Sequence, residues 1–160
     1  MACANALEDS LLTGKPLREA RLLAQKLTRL APREARSWML KAIVDALANS
    51  LRPAEQAILK SIRLKKNTDA FGLAGWIYLR KKNFRIAEKY LRQSLRLNKE
   101  NPLVLNLLGV SKERTGFRKE AAAWFTRALK ILPDYPDALF NRSFVQERQR
   151  TNPTRPKNTR

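Results

Sequence analysis

The residues able to do acid–base or nucleophilic chemistry are sparse in this sequence. Histidine, the usual proton shuttle near neutral pH, is absent from all 160 residues, and the 14 Asp and Glu are scattered rather than grouped. One cysteine, Cys3, excludes an intramolecular disulfide framework and a multi-cysteine metal site. In a polar N-terminal stretch it reads as an ordinary exposed thiol. Gly14-Lys15 has the end of a phosphate loop, but the upstream glycine and the Ser or Thr after the lysine are missing. No residue is therefore assigned a catalytic, cofactor or metal role, and enzymatic activity is not expected. What the chain carries instead is charge: 33 Lys and Arg against 14 Asp and Glu, a formal net charge of +19. Such a field favours an anionic partner, whether nucleic acid, an acidic protein segment or an anionic membrane surface, and charge alone does not choose among them.

The elements that must display those cations follow from composition. Hydrophobic residues make up 44% and charged residues 29%, a mix able to bury a core, and one folding unit is expected at this length. Only 5 glycines in a chain rich in Leu, Ala, Arg and Lys favour helices, because these side chains lose little rotamer freedom there. The stretch from Met1 to Leu12 lacks a basic region followed by an apolar run, so no secretion signal is expected. No segment approaches the roughly 18 apolar residues of a membrane span. A reducing, cytoplasmic compartment is the expectation.

Internal periodicity decides the architecture. An offset of 34 lays Gly75 over Gly109, Ala87 over Ala121, Leu91 over Phe125, Ser94 over Ala128 and Leu97 over Ile131. Stepping back 33 puts Trp38 under Phe71, Ala42 under Gly75, Ala54 under Ala87, Ile58 under Leu91 and Ser61 under Ser94; a further 34 reaches Ala20, Ala24, Leu27 and Leu30. The units run over about 1–34, 35–67, 68–101 and 102–135. Each reads as two helices joined by a short break such as Thr115-Gly116-Phe117 or Lys82-Asn83-Phe84, with small residues where the helices cross. One hairpin cannot bury the stripe of Ala121, Phe125, Ala128 and Leu132, whereas stacking on a neighbour can. Asn101-Pro102 and Asp134-Tyr135-Pro136 separate the units. A last helix over 136–150 is expected to turn Leu139 and Phe140 toward the array as a cap, and 151–160 is expected to be a flexible basic tail.

The pattern resembles the tetratricopeptide repeat family. The fourth unit carries it best through Leu105, Leu108, Gly109, Gly116, Ala121, Phe125, Ala128 and Pro133, and the third through Phe71, Ala74, Gly75, Tyr78, Phe84, Ala87 and Leu97. The second has Trp38, Ala42, Leu51, Ala54 and Ile58 but places Lys41 and Asp45 where apolar residues are usual, and the first keeps Leu7, Leu17, Ala20 and Pro32 with Glu8 at a small-residue position. The resemblance implies an all-α fold, a right-handed α-solenoid of helix-turn-helix repeats with a C-terminal capping helix. It also implies a non-enzymatic protein–protein interaction scaffold or adaptor.

Two candidate binding features come out of this register. Arg29, Arg63, Arg96 and Lys130 occupy the same late position of the second helix in all four units, and Arg85, Lys89 and Arg92 add to them in the third. Cations there compensate the helix dipole, and as a ridge they also suit an acidic partner. An RNA-associated repeat protein using this ridge is the alternative reading, although sequence reading of single strands wants aromatics interleaved with the cations, and only Trp76 falls outside the core positions. The family resemblance further implies a concave groove lined by the first helix of each unit: Met39 and Ile43, then Trp76, Leu79 and Arg80, then Asn106, Val110 and Arg114, and Phe140 and Phe144 from the cap. The carboxylate clamp of some relatives is not expected, since Met39, Ile43, Leu73, Leu103 and Leu107 stand in its places. An amphipathic helix with an acidic flank suits a groove of this kind.

Overall fold

The computed structural model describes residues 17–151. Cys3, Leu7, Glu8 and Gly14-Lys15, with the first helix expected of the first repeat, lie outside the described residues, as does the expected tail beyond Thr151. Within them are eight α-helices and no strand: α1 (Leu17–Leu30), α2 (Ala35–Leu47), α3 (Leu51–Leu64), α4 (Thr68–Arg80), α5 (Phe84–Leu97), α6 (Pro102–Arg114), α7 (Arg118–Ile131) and α8 (Pro136–Thr151). The chain divides into two compact units, one ending at Leu97 and one beginning at Asn98. In the first, α2 pairs with α3 and α4 with α5; α1 packs on α2, and α3 on α4. In the second, α6 pairs with α7, and α8 packs on both.

The three hairpin turns share one construction. In each, the residue two past the first helix adopts a left-handed backbone, at Asn49 (φ 57°), Lys82 (φ 58°) and Gly116 (φ 88°). Its amide bonds back three residues and the next amide five: Asn49 to Ala46 and Ser50 to Asp45, Lys82 to Leu79 and Asn83 to Tyr78, Gly116 to Glu113 and Phe117 to Lys112, all between 2.8 and 3.0 Å. These paired bonds satisfy carbonyls that the helix end leaves open. Asn and Gly suit the left-handed region, whereas Lys82 holds it against its own steric preference. Starts are encoded as simply: the side chains of Asn67 and Asn101 accept hydrogen bonds from the amides of Ala70 (2.7 Å) and Val104 (3.1 Å), capping α4 and α6.

Inside each hairpin a small residue on the first helix faces a large one on the second. A β-carbon added at Gly75 would lie 2.5 Å from Leu91 Cγ, and one at Gly109 would lie 2.6 Å from Phe125 Cδ1. Both large partners are buried, so there is no room beside them. A second contact sits at the far end of the first two hairpins, where the hydroxyls of Ser61 and Ser94 donate to the carbonyls of Ala35 (2.8 Å) and Thr68 (2.9 Å). Ala128 replaces that hydroxyl in the third hairpin and is equally buried.

The capping helix turns differently from the sequence expectation. Leu139 and Phe140 are 39% and 70% exposed, while Ala138 and Val145 are buried. The repeat register explains this: α8 takes the place of a fifth first helix, with Ala138 over Val104 and Val145 over Ser111, both buried positions. Leu139 falls over Leu105, which shares with Gly109 the face of α6 turned to α7. No helix follows α8 among the described residues, so that face meets water.

Gly109→Leu and Gly75→Leu are each expected to lose at least about 1 to 3 kcal/mol through overpacking. Gly109 should be the more sensitive, since an aromatic ring yields less readily than the end of a leucine. Urea midpoints check this, and variants as stable as the parent would place the crossings elsewhere.

Candidate functional site

In the first unit the first-helix residues divide between support and display. Met39 and Trp76 are half-buried against the core cluster of Ala42, Ala46, Phe71 and Ala74, and Ile43 against Leu40 and Val44. Leu79 is half-buried and Arg80 exposed. The Arg80 guanidinium lies 5.2 Å from the Trp76 ring centroid, donates to the Ala46 carbonyl, and reaches Asn49 Oδ1 at 3.2 Å. It therefore ties the end of α4 to the C-terminal end of α2, where a cation opposes the helix dipole. Arg80 braces this face and covers part of Trp76, so neither is the open rim or free ring that the sequence suggests.

Polar residues at core positions are explained by pairing. Asp45 is 3% exposed, and its carboxylate meets Lys41 Nζ at 2.5 Å and Arg21 Nε at 4.0 Å. The irregular second repeat thus holds its buried charge between cations of α1 and α2. Further along, Tyr78 Oη donates to Glu55 Oε1 at 2.6 Å and Lys81 Nζ to Glu55 Oε2, linking α4 to α3. Burial alone would raise Glu55, but these two hydrogen bonds and the Lys81 charge hold it below the ordinary carboxylate value. Burial, the bond to Glu55 and its charge push the Tyr78 phenol well above its usual range, and burial with the Glu55 charge raises Tyr90.

The second unit brings four of the expected groove residues together. Val110 and Arg114 from α6, and Phe140 and Phe144 from α8, line a cavity of about 210 Å³ with Glu113, Asn141 and Arg148, floored by Phe125 and Val145. Phe140 and Phe144 stack with centroids 6.3 Å apart and remain 70% and 45% exposed. Glu113 pairs with Arg148 at 3.0 Å and with Arg114 at 3.5 Å, and Arg148 also sits 5.4 Å from the Phe144 centroid. Asn106, by contrast, is 4% exposed; its Oδ1 accepts from Asn141 Nδ2 at 3.1 Å, and it also bonds Tyr135. It holds α6 against α8 from behind the cavity and presents nothing to a partner. Val145 and Arg148 are lining residues that sequence reasoning missed; the role of Arg148 depends on Glu113 lying 35 residues earlier on a packed neighbour.

Arg29, Arg63, Arg85, Lys89, Arg92, Arg96 and Lys130 are all exposed. Arg29, Arg63, Arg96 and Lys130 occupy the last turns of α1, α3, α5 and α7, as dipole compensation requires. Arg92 is paired locally with Glu88 at 2.7 Å. Among the described residues there is no group of His, Cys, Asp and Glu able to hold a metal ion, and no helix long and apolar enough to cross a membrane.

Residues 73–136 match the family described as tetratricopeptide repeat. Over those residues the chain carries tetratricopeptide repeats. Human tetratricopeptide repeat protein 13 is 30% identical over 88 residues, which covers 55% of this chain and 10% of that protein. A chain of the APC/C hetero-tetramer Cut9–Hcn1 superposes over 92% of the present chain with a TM-score of 0.86 at 21% identity, and 30% of it is matched. YrrB, a tetratricopeptide repeat protein with an unusual peptide-binding site, matches 94% of the chain and 78% of its own length, with a TM-score of 0.70 at 18% identity. The first two relatives are far longer, so the chain spans a tenth and under a third of their lengths. At these identities the structural likenesses show the all-α repeat fold alone.

The Glu55–Tyr78 bond has a pH signature. With its pKa raised in the folded state, Tyr78 contributes stability that is fully present below the unfolded tyrosine value of about 10 and is lost as pH rises beyond it. Tyr78→Phe is expected to flatten that alkaline fall and to cost about 1 kcal/mol at neutral pH. Urea midpoints from pH 7 to 11 for parent and variant decide; parallel curves would show that Tyr78 ionises as freely as in the unfolded chain.

Proposed function

We propose that this tetratricopeptide protein is a non-enzymatic adaptor that holds a segment of a partner protein on the first-helix face of its repeats. The fold is a protein–protein interaction scaffold in general. The observation that carries the finer reading is the exposed Phe140–Phe144 stack beside the cavity of the second unit. Exposed, rigid aromatics next to a concave apolar floor are what binding hot spots are made of. Arg114 and Arg148 edge the cavity against a single carboxylate, Glu113, leaving an excess of positive charge. An amphipathic helix with an acidic flank fits that chemistry: its apolar side meets Phe140, Phe144 and Val110, and its acidic side meets the arginines. The peptide site of YrrB and the assembly of Cut9–Hcn1 belong to those proteins and lend the reading support by fold. The single cysteine, Cys3, is compatible with a reducing, cytoplasmic setting.

Nucleic acid is less well served. Trp38 donates its indole N–H to the Pro32 carbonyl at 2.9 Å, Trp124 carries Arg127 at 4.8 Å, and Trp76 carries Arg80. All three tryptophan rings are thus already engaged, which leaves fewer faces for bases to stack on.

Phe140→Ala with Phe144→Ala is expected to weaken partner capture by about 2 kcal/mol or more. Both side chains are largely exposed, so melting should change little. Affinity recovery from lysate with and without nuclease, for parent and double variant, checks this. Proteins retained by the parent and lost from the variant regardless of nuclease support the proposal; recovery that is unchanged, or lost on nuclease treatment, refutes it.

A further inference from the structure

A second cavity lies in the first unit, lined by α5, the end of α3 and Phe71 of α4. It measures about 370 Å³, within the size range of ligand sites, roughly 300 to 1,000 Å³. Lys66, Lys89 and Arg96 line it, and no carboxylate does. Three cations of this unit are closely paired with acids: Lys41 with Asp45, Lys81 with Glu55 and Arg92 with Glu88. Lys66, Lys89 and Arg96 have no such partner among the described residues. Cations gathered about one cavity repel one another and concentrate anions there.

The wall adds a group of another kind. Gln93 Oε1 is buried without a hydrogen-bond partner, the one side-chain oxygen or nitrogen of the described residues in that state. Such an atom lacks a donor where it stands, and it meets one from a ligand when the Gln93 side chain turns into the channel. Ile62 and Leu97 supply apolar lining, but the aromatic wall is not available for stacking, because Tyr90 already stacks on Tyr78 at 5.5 Å and on Phe71 at 6.3 Å. A nucleobase would find phosphate-binding cations here and no ring face. An extended peptide finds a use for every group.

We infer that this channel is a second docking site, which takes an extended acidic segment of a partner protein. Its carboxylates meet Lys66, Lys89 and Arg96, a backbone N–H donates to Gln93 Oε1, and an apolar side chain rests on Ile62 and Leu97. The channel's lining shares no residue with the Phe140–Phe144 cavity.

The test uses the full chain and a fluorescein-labelled peptide of about ten residues, Glu and Asp around a central Leu, followed by anisotropy at low salt. The parent is expected to bind, and Lys89→Glu with Arg96→Glu to weaken binding at least about tenfold. Arg18→Glu with Lys26→Glu on α1 makes the same change of net charge and is expected to weaken it less than about threefold. Gln93→Met keeps the length of the side chain and removes the carbonyl; it should weaken binding about threefold or more without lowering the melting temperature. Equal losses from the two charge reversals would mean that only the general field attracts the peptide, overturning the assignment. So would an unaffected Gln93→Met. A single-stranded oligouridine that binds more tightly than the peptide, and loses affinity in the Lys89 and Arg96 variant, would give the channel to nucleic acid instead.

Discussion

The close approach of two helices inside each hairpin is the constraint on which the rest of the structure depends. Small and large residues are matched across it: Ala42 with Ile58, Gly75 with Leu91 and Gly109 with Phe125 stand at equivalent repeat positions. At Gly109, where the first helix gives up its β-carbon, the second carries the bulkier Phe125, and at Gly75 it carries Leu91, isomeric with Ile58, pressed against the glycine. With that spacing set, Ser61 and Ser94 reach the carbonyls that start their partner helices, and the turns close by the same two backbone bonds each time. The hairpin then has one apolar side left over. In the first unit that side of α3 is covered by α4, and in the second unit that of α7 is covered by α8.

Because the second helices hold the hairpins together, the first helices and the outer channels are left to carry binding chemistry. The +19 charge is not spread evenly in its effect. Part of it is consumed by structure, as Arg80 at the end of α2, Lys41 and Arg21 around Asp45, and Lys81 on Glu55. Part stands at helix ends, where it opposes the dipoles. Around the outer channel Lys66, Lys89 and Arg96 stand with no carboxylate in the lining, and at the Phe140–Phe144 cavity two arginines share the single carboxylate of Glu113, so it is there that an acidic partner gains most.

The repeat was legible because it is written in residue volume at a fixed offset: Gly75 and Gly109, Leu91 and Phe125 and Ala87 and Ala121 can be aligned by eye, and volume is what helix crossing reads. Pairing between helices was not. Arg80 fell on the expected face, yet its guanidinium turns to the Ala46 carbonyl, a geometry set by a neighbouring hairpin. Asn106 also occupied a first-helix position, and only the packing of Asn141 and Tyr135 shows it facing inward. In α8 the sequence shows four apolar residues, Leu139, Phe140, Phe144 and Val145, without saying which side is covered. The packing of α8 on α6 and α7 decides it, burying Val145 and leaving the two phenylalanines at the surface of the described residues. Gln93 gave no signal at all, since one glutamine on an exposed helix is ordinary until its carbonyl is seen to lack a donor.

The matched crossing is tested most directly by a double-mutant cycle on Gly109 and Phe125. Gly109→Ala alone should destabilise, because overlap with the Phe125 ring outweighs the gain of about 1 kcal/mol in helix propensity. Phe125→Leu alone should also destabilise, by removing buried volume. Together they should restore space for the new methyl group, so the double variant is more stable than the sum of the singles by about 1 kcal/mol or more. Additivity within about 0.5 kcal/mol would contradict the account, since the two residues would then not share the space on which each hairpin is built.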